Sequence, residues 1–132
     1  MKYYVLDSYS ILAYAQSEKG ADEVGEILKL SLNSSAELFM SVINWGEVNY
    51  IILRKSGKEA AEEFRKLIDQ YPITIIDADK ELTLLAAEFK AYNKMSYADA
   101  FAAALAKQKK ATLLTGDNEF RCLEKEIKIH WL

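Results

Sequence analysis

The sequence predicts an α/β fold, a three-layer sandwich around a mainly parallel five-stranded sheet, built as a single domain over residues 1–132. Three observations carry that expectation. Short apolar or β-branched runs recur at Tyr3–Leu6, Leu38–Val42, Ile73–Ile76, Ala111–Thr115 and in the closing IKIHWL. Segments of helical periodicity separate the first four runs, and parallel neighbours need such crossovers, which are nearly always right-handed. A chain of 132 residues with 51% hydrophobic and 28% charged residues has the size and balance of one globular domain.

Each element follows from local chemistry. The apolar run KYYVL stops at Asp7, and a helix follows from Ser10. In Ala21–Leu32, residues Val24, Ile27, Leu28 and Leu32 fall at helical spacing, and Asn33, Ser34 and Ser35 end that helix with turn chemistry. After the second strand, Asn44 opens a helix to about Lys55 that carries Val48, Ile51 and Ile52 on one side, and Gly57 breaks it. From Lys58 to Tyr71 the apolar positions Ala61, Phe64, Leu67 and Ile68 are again helical, with Glu62 and Lys66 paired across one turn. The only proline, Pro72, ends this helix. Asp77 and Asp79 turn the chain into a helix bearing Leu82, Leu85, Ala86 and Phe89. A polar break at Asn93–Ser96 precedes an alanine-rich helix, Tyr97–Lys109, whose Ala98, Ala102 and Ala106 permit close approach to whatever it covers.

Composition excludes several kinds of chemistry. One cysteine, Cys122, makes no internal disulfide, and with one histidine it builds no Cys/His zinc site. Metal-free RNA cleavage and serine or cysteine hydrolysis usually need a well-placed imidazole, whereas His130 falls in the last strand, where a structural role is expected. Any catalysis must therefore rest mainly on carboxylates. No apolar run approaches the roughly 18 residues of a membrane span, and MKYYVLD meets an acid before a signal-peptide core can form, so a cytoplasmic protein is expected. The net charge of -3 does not suggest a nucleic-acid partner, although a few clustered acids can mask a basic rim.

Sheets of this kind bind ligands beyond the carboxyl ends of their strands. Asp7 directly follows the first strand, and Asp117 follows the fourth after Thr115 and Gly116. Glu47 falls in the first turn of the helix after the second strand, and Asp99 in the first turn of the helix before the fourth. Four carboxylates are thus expected to converge. Each has a plainer use: Asp7 and Asp117 as helix caps, Ser96 with Asp99 and Asn44 with Glu47 as capping boxes. Capping alone, however, does not require acids at these four places together.

In this order, VLDSYSIL, SVINWGEVNY, MSYADAFAAALAKQ and ATLLTGDNEF resemble the four acidic segments of PIN-domain ribonucleases, especially the VapC toxins of toxin-antitoxin pairs. The resemblance covers nearly the whole chain. It implies a metal site made by Asp7, Glu47, Asp99 and Asp117, with Ser8 and Thr115 as polar supports. It also implies an RNA substrate cut to a 5′-phosphate and a 3′-hydroxyl, a cognate VapB-like antitoxin and a homodimer. Tyr9, where the family often has a small residue, and Asn44, where it often has Ser or Thr, depart from the pattern and bear on the shape of the substrate groove. Oxygen ligands without His or Cys suit Mg²⁺ or Mn²⁺. Without the four acids the rest of the chain carries +1, and Lys107, Lys109 and Lys110, or Arg54, Lys55 and Lys58, are candidate phosphate contacts. Two other readings share the fold. A receiver-like phosphoacceptor wants paired acids after the first strand and a late Lys-Pro, but Ser8 follows Asp7 and the sole proline is Pro72; a DxD phosphatase is opposed by Tyr9. A non-catalytic interaction module is opposed by the presence of all four acids.

Overall fold

A computed structural model describes residues 1–132. In chain order the elements are β1 (Lys2–Leu6), α1 (Ser8–Ala15), α2 (Ala21–Leu32), β2 (Ala36–Ser41), α3 (Val42–Ser56), α4 (Lys58–Ile68), β3 (Ile73–Ile76), α5 (Lys80–Tyr92), α6 (Tyr97–Lys109), β4 (Thr112–Thr115), a 3₁₀ helix (Asn118–Leu123) and β5 (Ile129–Trp131). The five strands form one sheet in the order β3-β2-β1-β4-β5, and every pairing is parallel.

This order determines where the helices go. From β1 the chain steps outward to β2 and β3, then returns past β1 to place β4 and β5 on its other side. With right-handed crossovers, that reversal puts the two sets of helices on opposite faces. The cores agree: Tyr4, Leu6, Leu38, Met40 and Leu114 pack with residues of α1 to α4. Val5, Phe39 and Leu113, which point the other way from the same strands, pack with α5, α6 and the 3₁₀ helix. Helix α6 is buried continuously from Ala100 to Ala106, so its alanines serve all sides of a helix packed between the sheet and α5 rather than a single stripe.

Three boundaries differ from the sequence expectation in ways that matter. Helix α1 begins at Ser8 rather than Ser10, because Asp7 caps it. Strand β2 runs into α3 without a loop: Ser41 is the cap, its hydroxyl accepting from the Ile43 N–H at 3.1 Å. Asn44 is therefore already inside the helix, and Glu47 falls in its second turn. Helix α4 ends at Ile68, short of Tyr71, whose hydroxyl instead meets that of Tyr14 at 3.1 Å.

Candidate metal centre

The chain leaves β1 and β4 in opposite directions, and the crevice beyond the carboxyl ends of such a strand pair is where ligands bind in open α/β sheets. Leu6 pairs with Leu114, which brings the next residues, Asp7 and Thr115, level with each other. Asp7 is fully buried. Its Oδ1 accepts from the Ser10 N–H at 2.8 Å, and its Oδ2 accepts from the Thr115 hydroxyl at 2.5 Å. The same Thr115 oxygen accepts the backbone N–H of Asp117 at 3.0 Å. One hydroxyl thus ties Asp7 to the loop that carries Asp117.

Asp117 caps the 3₁₀ helix, its Oδ1 accepting from the Glu119 N–H at 2.9 Å. Asp99, 8% exposed, lies in the first turn of α6, where its N–H donates to the capping Ser96 Oγ at 3.1 Å. The plain capping roles of Asp7 and Asp117 are therefore real, and they coexist with a cluster. One carboxylate oxygen from each of Asp99, Asp117 and Glu119 lies within 4.8 Å of the others.

Their electrostatics match that crowding. Burial pushes the Asp7 carboxyl up to about 6, against the pull of the Thr115 and Ser10 hydrogen bonds, with the charge of Asp117 adding to the rise. Asp99 is pushed up to about 7, first by burial and then by the negative charges of Asp117 and Asp7, with a smaller part from Glu119. Asp7, Asp99 and Asp117 therefore share one electrostatic site. Glu47, half-buried on α3, is not in the close trio. Glu119 takes a place in it that sequence reasoning did not assign. The signal was present in TGDNEF: a cap at Asp117 starts a tight turn, and a tight turn brings the side chain two residues later back beside the cap.

Ser8 and Asn44 link the starts of the helices that carry the acids. Ser8 is buried, its hydroxyl donating to the Asn44 carbonyl at 3.4 Å and accepting from Asn44 Nδ2 at 3.3 Å. Asn44 Nδ2 also donates to the Ala98 carbonyl at 3.1 Å, while Asn44 Oδ1 is buried without a partner. Asn44 thereby ties α3 to the residue after Asp7 and to the residue before Asp99. His130 turns away from the acids toward α2, its Nε2 2.9 Å from the Glu23 carboxylate. A cleft of about 840 Å³ opens at the amino ends of β1 and β4, among Lys2, Lys110 and Lys128, at the opposite end of the strands from the acids.

Hard oxygen donors, close enough to repel one another, form a set that a divalent cation would hold together. Asp99, Asp117 and Glu119 could hold such an ion, and Asp7 is near enough for its charge to raise Asp99. No helix is long and apolar enough to cross a membrane.

The PIN domain family model matches residues 4–126. No curated protein matches the sequence. Among solved structures, VapBC2 from Rickettsia felis, bound to a DNA fragment from its promoter, is similar with a TM-score of 0.78 and 19% identity, covering 97% of each chain. VapBC-1 from nontypeable Haemophilus influenzae gives 0.71 and 17% identity over 98% of this chain and 97% of that one. VapC20 from Mycobacterium tuberculosis, a toxin that cleaves the sarcin-ricin loop, gives 0.70 and 17% identity over 90% and 93%. These likenesses concern the fold, which is also that of VapC toxins, and the family match spans nearly the whole sequence: the chain belongs to the PIN-domain family.

Proposed function

We propose that this protein is a metal-dependent endoribonuclease, the toxin of a toxin-antitoxin pair, with Asp7, Asp99 and Asp117 as its central acids. The observation that carries the reading is the crowding of carboxylates at the β1/β4 crevice of a PIN fold, buried at Asp7 and Asp99, half-buried at Asp117 and exposed at Glu119, with the first two held well above the usual carboxylate range. Mg²⁺ or Mn²⁺ suits the all-oxygen donor set. When bound, such an ion supplies Lewis-acid activation of water and of the phosphoryl oxygens. The protein's own residues do the rest. Asp99, Asp117 and Glu119 present the donor oxygens, and Thr115 holds Asp7 and the Asp117 backbone in register. Glu47, on the helix that follows β2, remains a candidate ligand for an ion or for ordered water at the rim.

The solved relatives include VapBC complexes, which supports a VapB-like antitoxin as the partner here. An Arg of that partner, whose fork matches carboxylates, is suited to fill the acid pocket. A homodimer fits the same reading.

Cleavage of total cellular RNA in Mg²⁺ or Mn²⁺ tests the function. Activity is expected to vanish with a chelator and to fall at least about 100-fold in Asp7→Asn or Asp99→Asn, the order of effect of losing a group that stabilises transition-state charge. Products are expected to carry 5′-phosphates. Ends with 2′,3′-cyclic phosphate, or activity that survives chelation, would overturn the reading.

A further inference from the structure

Tyr9 touches both the Gly116 backbone and a neighbouring cavity. Its ring lies against the bare backbone of Gly116, the residue before Asp117: a Cβ added at Gly116 would sit 2.4 Å from Tyr9 Cε1, 2.7 Å from Cζ and 3.0 Å from the hydroxyl. Gly116 has no left-handed backbone, and a side chain there would require this ring to move aside. The contact runs along one edge of the ring, and Tyr9 remains 42% exposed. Tyr9 also lines a cavity of about 280 Å³, walled by Leu12, Ala13, Gln16, Glu18 and Lys19.

We infer that Tyr9 and this cavity form a nucleobase subsite of the substrate groove, with the ring as a stacking platform for the base next to the scissile phosphate. The inference rests on the nuclease reading above and names how its substrate is held. The chemistry fits an unstacked base of single-stranded RNA. An aromatic face stacks on any base, Leu12 adds an apolar wall, and Gln16 and Lys19 offer polar groups to a base edge. The contact of Tyr9 with Gly116 places the ring beside the loop that carries Asp117.

The test uses an RNA oligonucleotide spanning a cleavage site mapped in total RNA, alongside versions with an abasic nucleotide at each position flanking the cut. Tyr9→Leu should lower kcat/KM about 5- to 100-fold, the range of one lost base stack, and Tyr9→Phe should keep most of the activity. In wild type one abasic position should cost a similar factor, and in Tyr9→Leu that cost should largely disappear. Gln16→Ala, which touches none of the acids, should change the preference among the four bases at that position with Tm unchanged; it serves as the second variant if Tyr9→Leu folds poorly. Equal abasic costs in wild type and Tyr9→Leu, together with an unchanged base preference in Gln16→Ala, would overturn the subsite and leave the nuclease standing. A wild-type protein that cleaves no RNA overturns the nuclease reading itself.

Discussion

Asp99 shows how one side chain couples chemistry to stability. Its folded value of about 7 lies above its ordinary 3.8, so the folded state binds the proton more tightly than the unfolded state does. The stability this supplies is fully present below about pH 3.8 and is lost as pH rises through 7. Asp7 acts in the same direction up to about 6. Metal-free protein should therefore lose stability between about pH 4 and 7, and Asp99→Asn should flatten the upper part of that profile. At pH 8 the variant should be more stable than wild type by on the order of 1 kcal/mol, a rise of a few degrees in Tm. Calorimetry in chelator across that range checks it, and a variant that melts lower at pH 8 would mean Asp99 is chiefly structural. Thr115 makes the opposite case. It is fully buried, donates to Asp7 and accepts from Asp117. Thr115→Val keeps the shape but strands both partners, so a loss of about 1–3 kcal/mol in urea unfolding is expected, with Thr115→Ser close to wild type.

Asn44 acts between elements. Its amide bridges α3 to the start of α1 through Ser8 and to the start of α6 through Ala98. Asn44→Ala removes both links but also removes the partnerless Oδ1, so the stability cost should stay near 1–2 kcal/mol. The larger consequence should be for the site, since the three helix starts lose their common tie. Crystal structures or NMR shifts at Ser8 and Asp99 should show them displaced, and cleavage should fall further than the stability loss accounts for. The sequence marked Asn44 as a helix start because of its residue type. It missed the tie because Ser41, buried at the end of β2, was already the cap, which moved α3 forward by two residues and turned Asn44 inward.

For the whole molecule, the acid cluster is placed by strand order and its tendency to spread apart is what a metal ion would relieve. Mn²⁺ should raise the Tm of wild type by several degrees at saturating concentration and raise that of Asp99→Asn distinctly less, because stabilisation by a ligand scales with its affinity for the folded state. Equal shifts in the two proteins would place the ion elsewhere. Much of this arrangement was legible beforehand. Alternating short strands and amphipathic segments determine an α/β sandwich, and acids that follow strand ends or open helices mark Asp7, Glu47, Asp99 and Asp117 as candidates, because both are properties of neighbouring residues. Other features depended on the tertiary structure. That every strand pair is parallel, that Asp7 and Thr115 stand level although 108 positions apart, that Glu119 joins the close trio and Glu47 does not, and that Tyr9 rests on Gly116 all follow from strand register and from where each helix begins. Periodicity says which face of an element a residue occupies. The distance between two such faces is decided only when the sheet and its two helical layers pack together.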